Sequence, residues 1–402
     1  MALTLSEQSA PVIRATLPAV GAAVETITDL FYRKLFEAHP DLLTDLFNRG
    51  NQANGEQRRA LAGAVAGFAA ALVNNPETPP AAMLSRIAHK HVSLGISAEQ
   101  YKIVHRHLFA AIGEVLGAAV TPEVAAAWDE VYWLMAETLI GLEAGLYQSA
   151  GVAEGEVWQS MEIAERLEQT PDAITLVLRR PDGAPAGPFR PGQYISVQIP
   201  LPDGARQIRQ YSLSAAPGRD DWRITVKRVP AEAAAPAGEV SAHLHAHARP
   251  GDLLTVSVPG GDLVLAEGDG PVLLASAGIG VTPMLAMLYH LAETGSARAV
   301  TVLHADRTPA DHAHEADQRR LVAALPGADL RLWYETAPDG LPEGAELGRA
   351  DLAAIDVPEG VTAYLCGPLP FMRAVRAGLI ERGVPAESIH YEVFGPDLWL
   401  GN

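Results

Sequence analysis

A single cysteine, Cys366, stands among 402 residues. No intramolecular disulfide is available, which excludes the disulfide-stapled secreted scaffolds. Cations are also scarce: 30 Lys and Arg against 48 Asp and Glu give a formal net charge of −18. Such a surface repels phosphate backbones, and nucleic acid is not an expected partner. Residues 1–11 hold no basic segment followed by an apolar run of signal-peptide type, so the cytoplasm is the expected compartment. One stretch, 270–292, carries no Asp, Glu, Lys or Arg and has the length of a bilayer span. Gly278, Gly280 and Pro283 interrupt it, dividing it into a short strand at 272–275 and a helix beginning near Pro283. No transmembrane segment is expected, and no internal repeat is found.

What is present points to several cores. At a prior of about 150 residues per domain, the length implies two or three domains, and 48% hydrophobic residues suffice to fill them. Up to about residue 149 the apolar residues recur at helical spacing, with breaks near Pro40, Gly50, 76–80, Gly95 and Pro122. After a small, acidic stretch at 151–156 the pattern alternates as strands do, at 173–180, 194–199, 222–228 and 253–258, with Pro/Ala/Gly loops at 181–191 and 231–238. From 270 onward strands (272–275, 300–304, 330–335, 362–365) alternate with helices (283–292, 317–324, 370–382), the signature of a parallel sheet. The expected fold is multidomain, α plus β plus α/β: an all-α domain over 1–150, an antiparallel β domain over 151–267 and a parallel-sheet α/β domain over 268–402.

In the helical part, Met83, Leu84, Ile87 and His91 share one helix face while His89 points elsewhere. An inward imidazole suits axial ligation of a metal, provided its other N–H is held by a carboxylate or carbonyl. Tyr101 and Glu143 are candidates for that partner, although spacing alone allows Glu143 to be solvated. Tyr32 follows Phe31 in an apolar helix, Phe47 precedes a loop, and Gln57 and Leu61 share a helix face. Tyrosine and glutamine donate hydrogen bonds, yet each taken singly reads as core or surface before it reads as functional. Together, Phe31-Tyr32, the run Phe47-Asn48-Arg49-Gly50-Asn51-Gln52-Ala53-Asn54-Gly55-Glu56-Gln57, and Lys90-His91 to Gln100-Tyr101 resemble the globin domain of bacterial flavohaemoglobins. The resemblance implies a globin fold with His91 as proximal iron ligand and a Glu143–His91–Tyr101 hydrogen-bonded set behind it. It also implies Tyr32, Gln57, Leu61 and Phe47 on the oxygen side. Without a CxxCH signature, the haem is expected to be b-type and noncovalent.

Arg209-Gln210-Tyr211-Ser212 ends a strand with a guanidinium for pyrophosphate, an aromatic face and a hydroxyl for a flavin ring. Gly238-Glu239-Val240-Ser241 opens a helical segment whose amides suit a phosphate. With Pro191-Gly192-Gln193-Tyr194 upstream, this order resembles the flavin-binding barrel of the ferredoxin-reductase superfamily, implying FAD on an antiparallel β-barrel. Further on, Ala277-Gly278-Ile279-Gly280-Val281-Thr282-Pro283 joins strand to helix, where glycines let backbone approach a pyrophosphate. Tyr364-Leu365-Cys366-Gly367-Pro368 with Phe371-Met372 resembles the nicotinamide-side motif of ferredoxin-reductase-like domains. Read alone, Cys366 is a small buried hydrophobe.

The C-terminal segment, His390 to Pro396, would be an ordinary edge strand by composition. The resemblance places it at the flavin, with Phe394 covering the ring and Glu392 nearby, and Val393 stands where the family often has cysteine. Asp306-Arg307 follows the 300–304 strand, an acid favouring the free ribose of NAD and an arginine the phosphate of NADP. The preference stays open.

The resemblance covers essentially the whole chain. It implies a nitric oxide dioxygenase that converts NO and O2 to nitrate, with electrons from NAD(P)H passing through FAD to haem. The same parts would serve an NAD(P)H-dependent reductase of peroxides or oxygen, and a globin with an incidental reductase would bind or sense oxygen. Small molecules are the expected partners, with no obligate protein partner.

Overall fold

A computed structural model describes residues 4–53, 55–75, 80–231 and 236–395, with residue 82 described by its backbone alone. Asn54 and Pro396 of the motifs above, with most of the 76–80 break and half of the 231–238 loop, lie outside the described residues.

The N-terminal part is helical: α1 (Ser9–Ala38), α2 (Pro40–Asp45), α3 (Arg49–Ala53), α4 (Glu56–Asn74), α5 (Ala81–Leu94), α6 (Ala98–Leu116) and α7 (Pro122–Ala150). Pro40 and Pro122 each begin a helix, where a missing N–H costs nothing. Thr121 caps α7 by accepting from Val124 N. Ser97 and Gln100 form a capping box on α6, satisfying two orphan amides reciprocally. Gly95 ends α5 at φ 73°, and a Cβ there would lie 2.9 Å from Gly155 O, so glycine serves both the cap and the close approach. Gly50, expected to end a helix, lies inside α3. Phe31, Leu35, Phe68, Leu84 and Trp128 centre the helical core.

Strands follow: β1 (Trp158–Thr170), β2 (Ala173–Arg179), β3 (Tyr194–Pro200), β4 (Arg206–Ser212), β5 (Trp222–Lys227), then helix α8 (Glu239–His247) and β6 (Leu253–Ser257). They form an antiparallel sheet in the order β4-β3-β6-β1-β2-β5. The last part alternates β7 (Val272–Ala277), α9 (Val281–Glu293), β8 (Val300–Asp306), α10 (Glu315–Ala323), β9 (Ala328–Tyr334), β10 (Ala345–Leu347), β11 (Thr362–Cys366), α11 (Leu369–Glu381) and β12 (Ile389–Glu392). Its parallel sheet runs β10-β9-β8-β7-β11-β12. Strand order reverses between β7 and β11, and ligands of open α/β sheets bind beyond the carboxyl ends of strands at such a switch.

The expected α, antiparallel-β and parallel α/β succession is present. Helix α9 starts at Val281 rather than at Pro283, which sits in its first turn. Helix α8 starts at Glu239, inside the Gly238–Ser241 motif. No helix among the described residues is long and apolar enough to cross a membrane.

The chain divides into two compact units. One holds Met1–Trp158, Gln198–Arg209 and Gly395–Asn402, and the other holds Gln159–Val197 and Gln210–Phe394.

Candidate cofactor and active sites

In the helical unit, α5, α6 and α7 bring His91, Tyr101 and Glu143 together. Glu143 is 3% exposed, and its Oε1 accepts from Tyr101 Oη at 2.5 Å and lies 2.8 Å from His91 Nδ1. The phenol oxygen is itself 2.9 Å from Nδ1. A carboxylate only accepts, so Nδ1 carries the proton and Nε2 keeps its lone pair. Burial, then the Glu143 charge, push the Tyr101 phenol upward, so it remains a donor. Nε2 makes no hydrogen bond with any described residue. An imidazole so oriented, with one nitrogen saturated and the other basic, fits axial ligation of haem iron.

A second group gathers on α1, the turn after α2, and α4. The Tyr32 ring meets those of Phe36 and Phe47 at 5.6 and 5.7 Å between centroids. Burial raises the Tyr32 phenol, while hydrogen bonding to Gln57 and Gln52 and the Arg58 charge act in the opposite sense. Leu61, one turn beyond Gln57, packs on the helical core. Gln52 was passed over in the sequence reading. Its Nε2 is buried without a close hydrogen-bond partner among the described residues, and its place five residues before Gln57 in the same motif was the available signal.

At the flavin motif, Arg209 Nη1 donates to Ile208 O at 2.8 Å and Gln207 Oε1 at 3.3 Å, and Gln210 Nε2 donates to Ser196 Oγ at 2.9 Å. The Ser212 hydroxyl is buried without a partner among the described residues. An orphaned buried hydroxyl costs free energy unless a ligand satisfies it, and a flavin ring heteroatom would fit as that partner. Tyr194 is buried against Gly261, where a Cβ would lie 2.9 Å from its ring. Gly238 precedes α8 in extended backbone. Ser241 Oγ accepts from Val229 N and donates to Gly238 O, and Val240 is fully buried. The hydroxyl and Val240 thus shape the turn, while Glu239 occupies the first turn of α8.

The two nicotinamide motifs lie against each other at the switch point. A Cβ on Gly280 would fall 2.2 Å from Cys366 O and 2.8 Å from Gly367 N, so only glycine permits that approach. Gly278 takes φ 54° in a turn leading to Val281, and Thr282 Oγ1 donates to Ile279 O at 3.0 Å, with Pro283 buried behind it. Gly367 takes φ 157° and Pro368 precedes α11. Cys366 pairs in register with Ser276 on one side and Glu392 on the other. Burial, then Glu392, hold its thiol well above the usual range. Phe394 is 49% exposed. Lys227, also passed over, brings Nζ within 3.8 Å of where a Gly278 Cβ would stand, a cation at the phosphate-type turn.

Asp306, the last residue of β8, and Arg307 after it lie in different surroundings. The Asp306 carboxylate is buried, one oxygen accepting from Arg307 N at 2.8 Å and the other lying 3.8 Å from His304 Nε2 without a hydrogen-bond partner among the described residues. The Arg307 side chain is 64% exposed and pairs with Asp311 at 3.2 Å.

Comparison with known proteins agrees with this layout. The Globin family matches residues 29–139 and the Oxidoreductase NAD-binding domain family residues 274–377. A "Flavohemoprotein" of Chromobacterium violaceum is 43% identical over 401 residues, covering 97% of this chain and 98% of that one. A "Flavohemoprotein" of Deinococcus radiodurans is 40% identical, covering 98% and 97%. The crystal structure of Malassezia yamatoensis flavohemoglobin with bound FAD and heme superposes with TM-score 0.87 at 37% identity, covering 97% of this chain and 100% of that one. The FAD/NAD-binding domain of a Vibrio cholerae nitric oxide dioxygenase matches at TM-score 0.56 and 35% identity, covering 60% of this chain and all of that one.

The fold and sites thus define a globin carried in one chain with a flavin- and nicotinamide-dependent oxidoreductase. Identity above 30% across nearly the whole length of the relatives makes it specific. The chain belongs to the flavohemoprotein family.

Proposed function

We propose that this chain is a nitric oxide dioxygenase, turning NO and O2 into nitrate with electrons drawn from NADH or NADPH, and that it works in the cytoplasm on small molecules. The observation that carries the reading is the saturated Nδ1 of His91, held by a buried carboxylate, in one chain with an orphaned flavin-side hydroxyl. When bound, haem supplies a one-electron iron centre, FAD the conversion from two-electron to one-electron transfer, and the nicotinamide the hydride.

The residues divide the remaining work. His91 Nε2 would hold the iron, with Glu143 and Tyr101 fixing the tautomer and keeping the imidazole electron-rich. Tyr32 and Gln57 donate hydrogen bonds to a polarised oxygen substrate, with Phe47 and Leu61 keeping water out. Arg209, Tyr211 and Ser212, with Gln210 and Tyr194, seat the flavin, and the amides from Gly238 to Ser241 take its phosphates. Backbone from Gly278 through Pro283, with Cys366, Gly367 and Pro368, receives the nicotinamide dinucleotide, and Glu392 and Phe394 border its entry. Working boundaries of 1–150, 151–267 and 268–402 separate the three functions.

The carboxylate-backed His91 also favours a second reading, since it pushes electron density toward iron as in peroxidases: an NAD(P)H-dependent reductase of peroxide or oxygen. Nitrate formed per NADH consumed, with and without NO, decides between them. Stoichiometric nitrate supports the dioxygenase, and NADH oxidation without nitrate overturns it.

A further inference from the structure

Gln207 lies on β4, two residues before Arg209, and is wholly buried. Its Nε2 faces three carbonyl oxygens of α2 and the turn that follows it: Thr44 at 3.0 Å, Phe47 at 3.2 Å and Leu43 at 3.5 Å. Its Oε1 accepts from Arg49 N at 3.2 Å and from Arg209 Nη1 at 3.3 Å. Carbonyls on one side and N–H donors on the other leave the amide a single orientation. Two ion pairs flank it with opposite polarity. Arg206 of the β4 side meets Asp45 at 2.5 Å, and Arg49 of the helical side meets Asp203 at 2.6 Å. Exposed pairs of this kind add little stability, but their crossed signs penalise sliding in either direction.

We propose that Gln207 is a positioning residue for electron delivery from flavin to haem: it fastens the Phe47 turn of the haem pocket to the strand bearing Arg209, Tyr211 and Ser212, and the Asp45–Arg206 and Arg49–Asp203 pairs set the register. The proposal rests on the functional reading above. A buried glutamine with donors and acceptors on both sides is costly to strand, because removing its partners leaves carbonyls and an amide unsatisfied. A one-residue shift of the turn would orphan the same groups, so the contact selects one arrangement. Phe47 contributes its ring to the Tyr32 cluster and its carbonyl to this clasp.

The test uses the full chain carrying FAD and haem, reduced anaerobically by NADH under carbon monoxide, with two ferric haems reduced per NADH. NADH-to-ferricyanide turnover and FAD content serve as the reference. Gln207→Leu and Gln207→Glu should keep the reference within about twofold yet slow haem reduction at least tenfold, and in protein free of haem they should speed hydrogen exchange over residues 43–49. Asp45→Arg and Arg206→Asp should each slow haem reduction, and the double exchange should restore it, an outcome that a general loss of folding would not produce. Unimpaired haem reduction in the Gln207 variants, equal loss of both activities, or failure of the double exchange to rescue overturns the proposal. A wild-type chain that reduces ferricyanide but never its own haem overturns the functional reading instead, while the exchange measurement still tests the clasp.

Discussion

His91 Nδ1 and Glu143 Oε1 stand 2.8 Å apart, with the carboxylate buried and also accepting from Tyr101. His91→Ala should therefore abolish the haem spectrum, while His89→Ala leaves it nearly unchanged. Glu143→Gln removes the charge from both hydrogen bonds and should weaken each by about 1 kcal/mol or more. The measurable consequence is faster haem loss to apomyoglobin. Equal haem retention in His91→Ala and wild type would sink the assignment.

Tyr32 should govern oxygen affinity. A phenol donor facing a polarised oxygen contributes about 1.5–3 kcal/mol, and at about 1.4 kcal/mol per factor of ten Tyr32→Phe should weaken oxygen binding about ten- to a hundredfold. Carbon monoxide, less polar, should be spared, and ferricyanide turnover should not change. Flash photolysis separates the gases, and unchanged oxygen dissociation would transfer the role to Gln57 or Gln52.

Gly280→Ala forces a methyl into the Cys366 carbonyl, 2.2 Å from the ideal Cβ. Overpacking of this kind costs about 1–3 kcal/mol. The expected outcome is a lowered melting temperature and a raised KM for NADH, with FAD content maintained. Wild-type values for both would show that the strand ends yield easily.

Arg307 is the exposed cation at the end of β8, whereas the Asp306 carboxylate is buried. Arg307→Ala should raise KM for NADPH and leave NADH nearly unaffected, read by ferricyanide turnover with each nucleotide. Asp306→Ala should lower stability instead of altering preference. A preference change in Asp306→Ala without destabilisation would reverse these roles.

His312 predicts an acid limit. Burial, then the neighbouring His304 charge, depress its pKa far below the ordinary value of 6.5. Because the folded pKa is lowered, the unfolded chain binds the extra proton first, and stability falls as pH drops below about 6.5. The loss attributable to one such site is about 1.4 kcal/mol per pH unit. Urea titrations at pH 7, 6 and 5 should show that slope, reduced in His312→Gln. An unchanged slope in the variant would place the proton uptake elsewhere.

Much of this architecture was legible because its signals are local. The strands at 173–179, 272–277 and 362–366 are near-continuous apolar runs, and caps at Gly95 and Pro122 follow from backbone freedom and a missing N–H. Strand β1 was missed: its Glu162, Glu165, Arg166 and Glu168 are polar, and register shifts at Ile163/Glu165 and Glu168/Thr170 break the alternation that reveals a strand. Strand β10, three residues at an edge, is too short to show any period. At the sites, helical periodicity turned His91 inward but could not say whether Glu143 was buried, since that depends on packing between α5, α6 and α7. Gln207 carried no signal, because its partners in the helical part lie 158 to 164 residues away.

The tight seating of Gly280 on the end of β11 also makes Cys366 a silent reporter. The only thiol in the chain is wholly buried and shifted away from its reactive thiolate form. Any labelling by a thiol reagent must await a local opening, so the labelling rate at rising denaturant measures how often the nucleotide-binding edge breathes, apart from global unfolding. Dinucleotide that binds the closed edge should slow the clock in proportion to its occupancy.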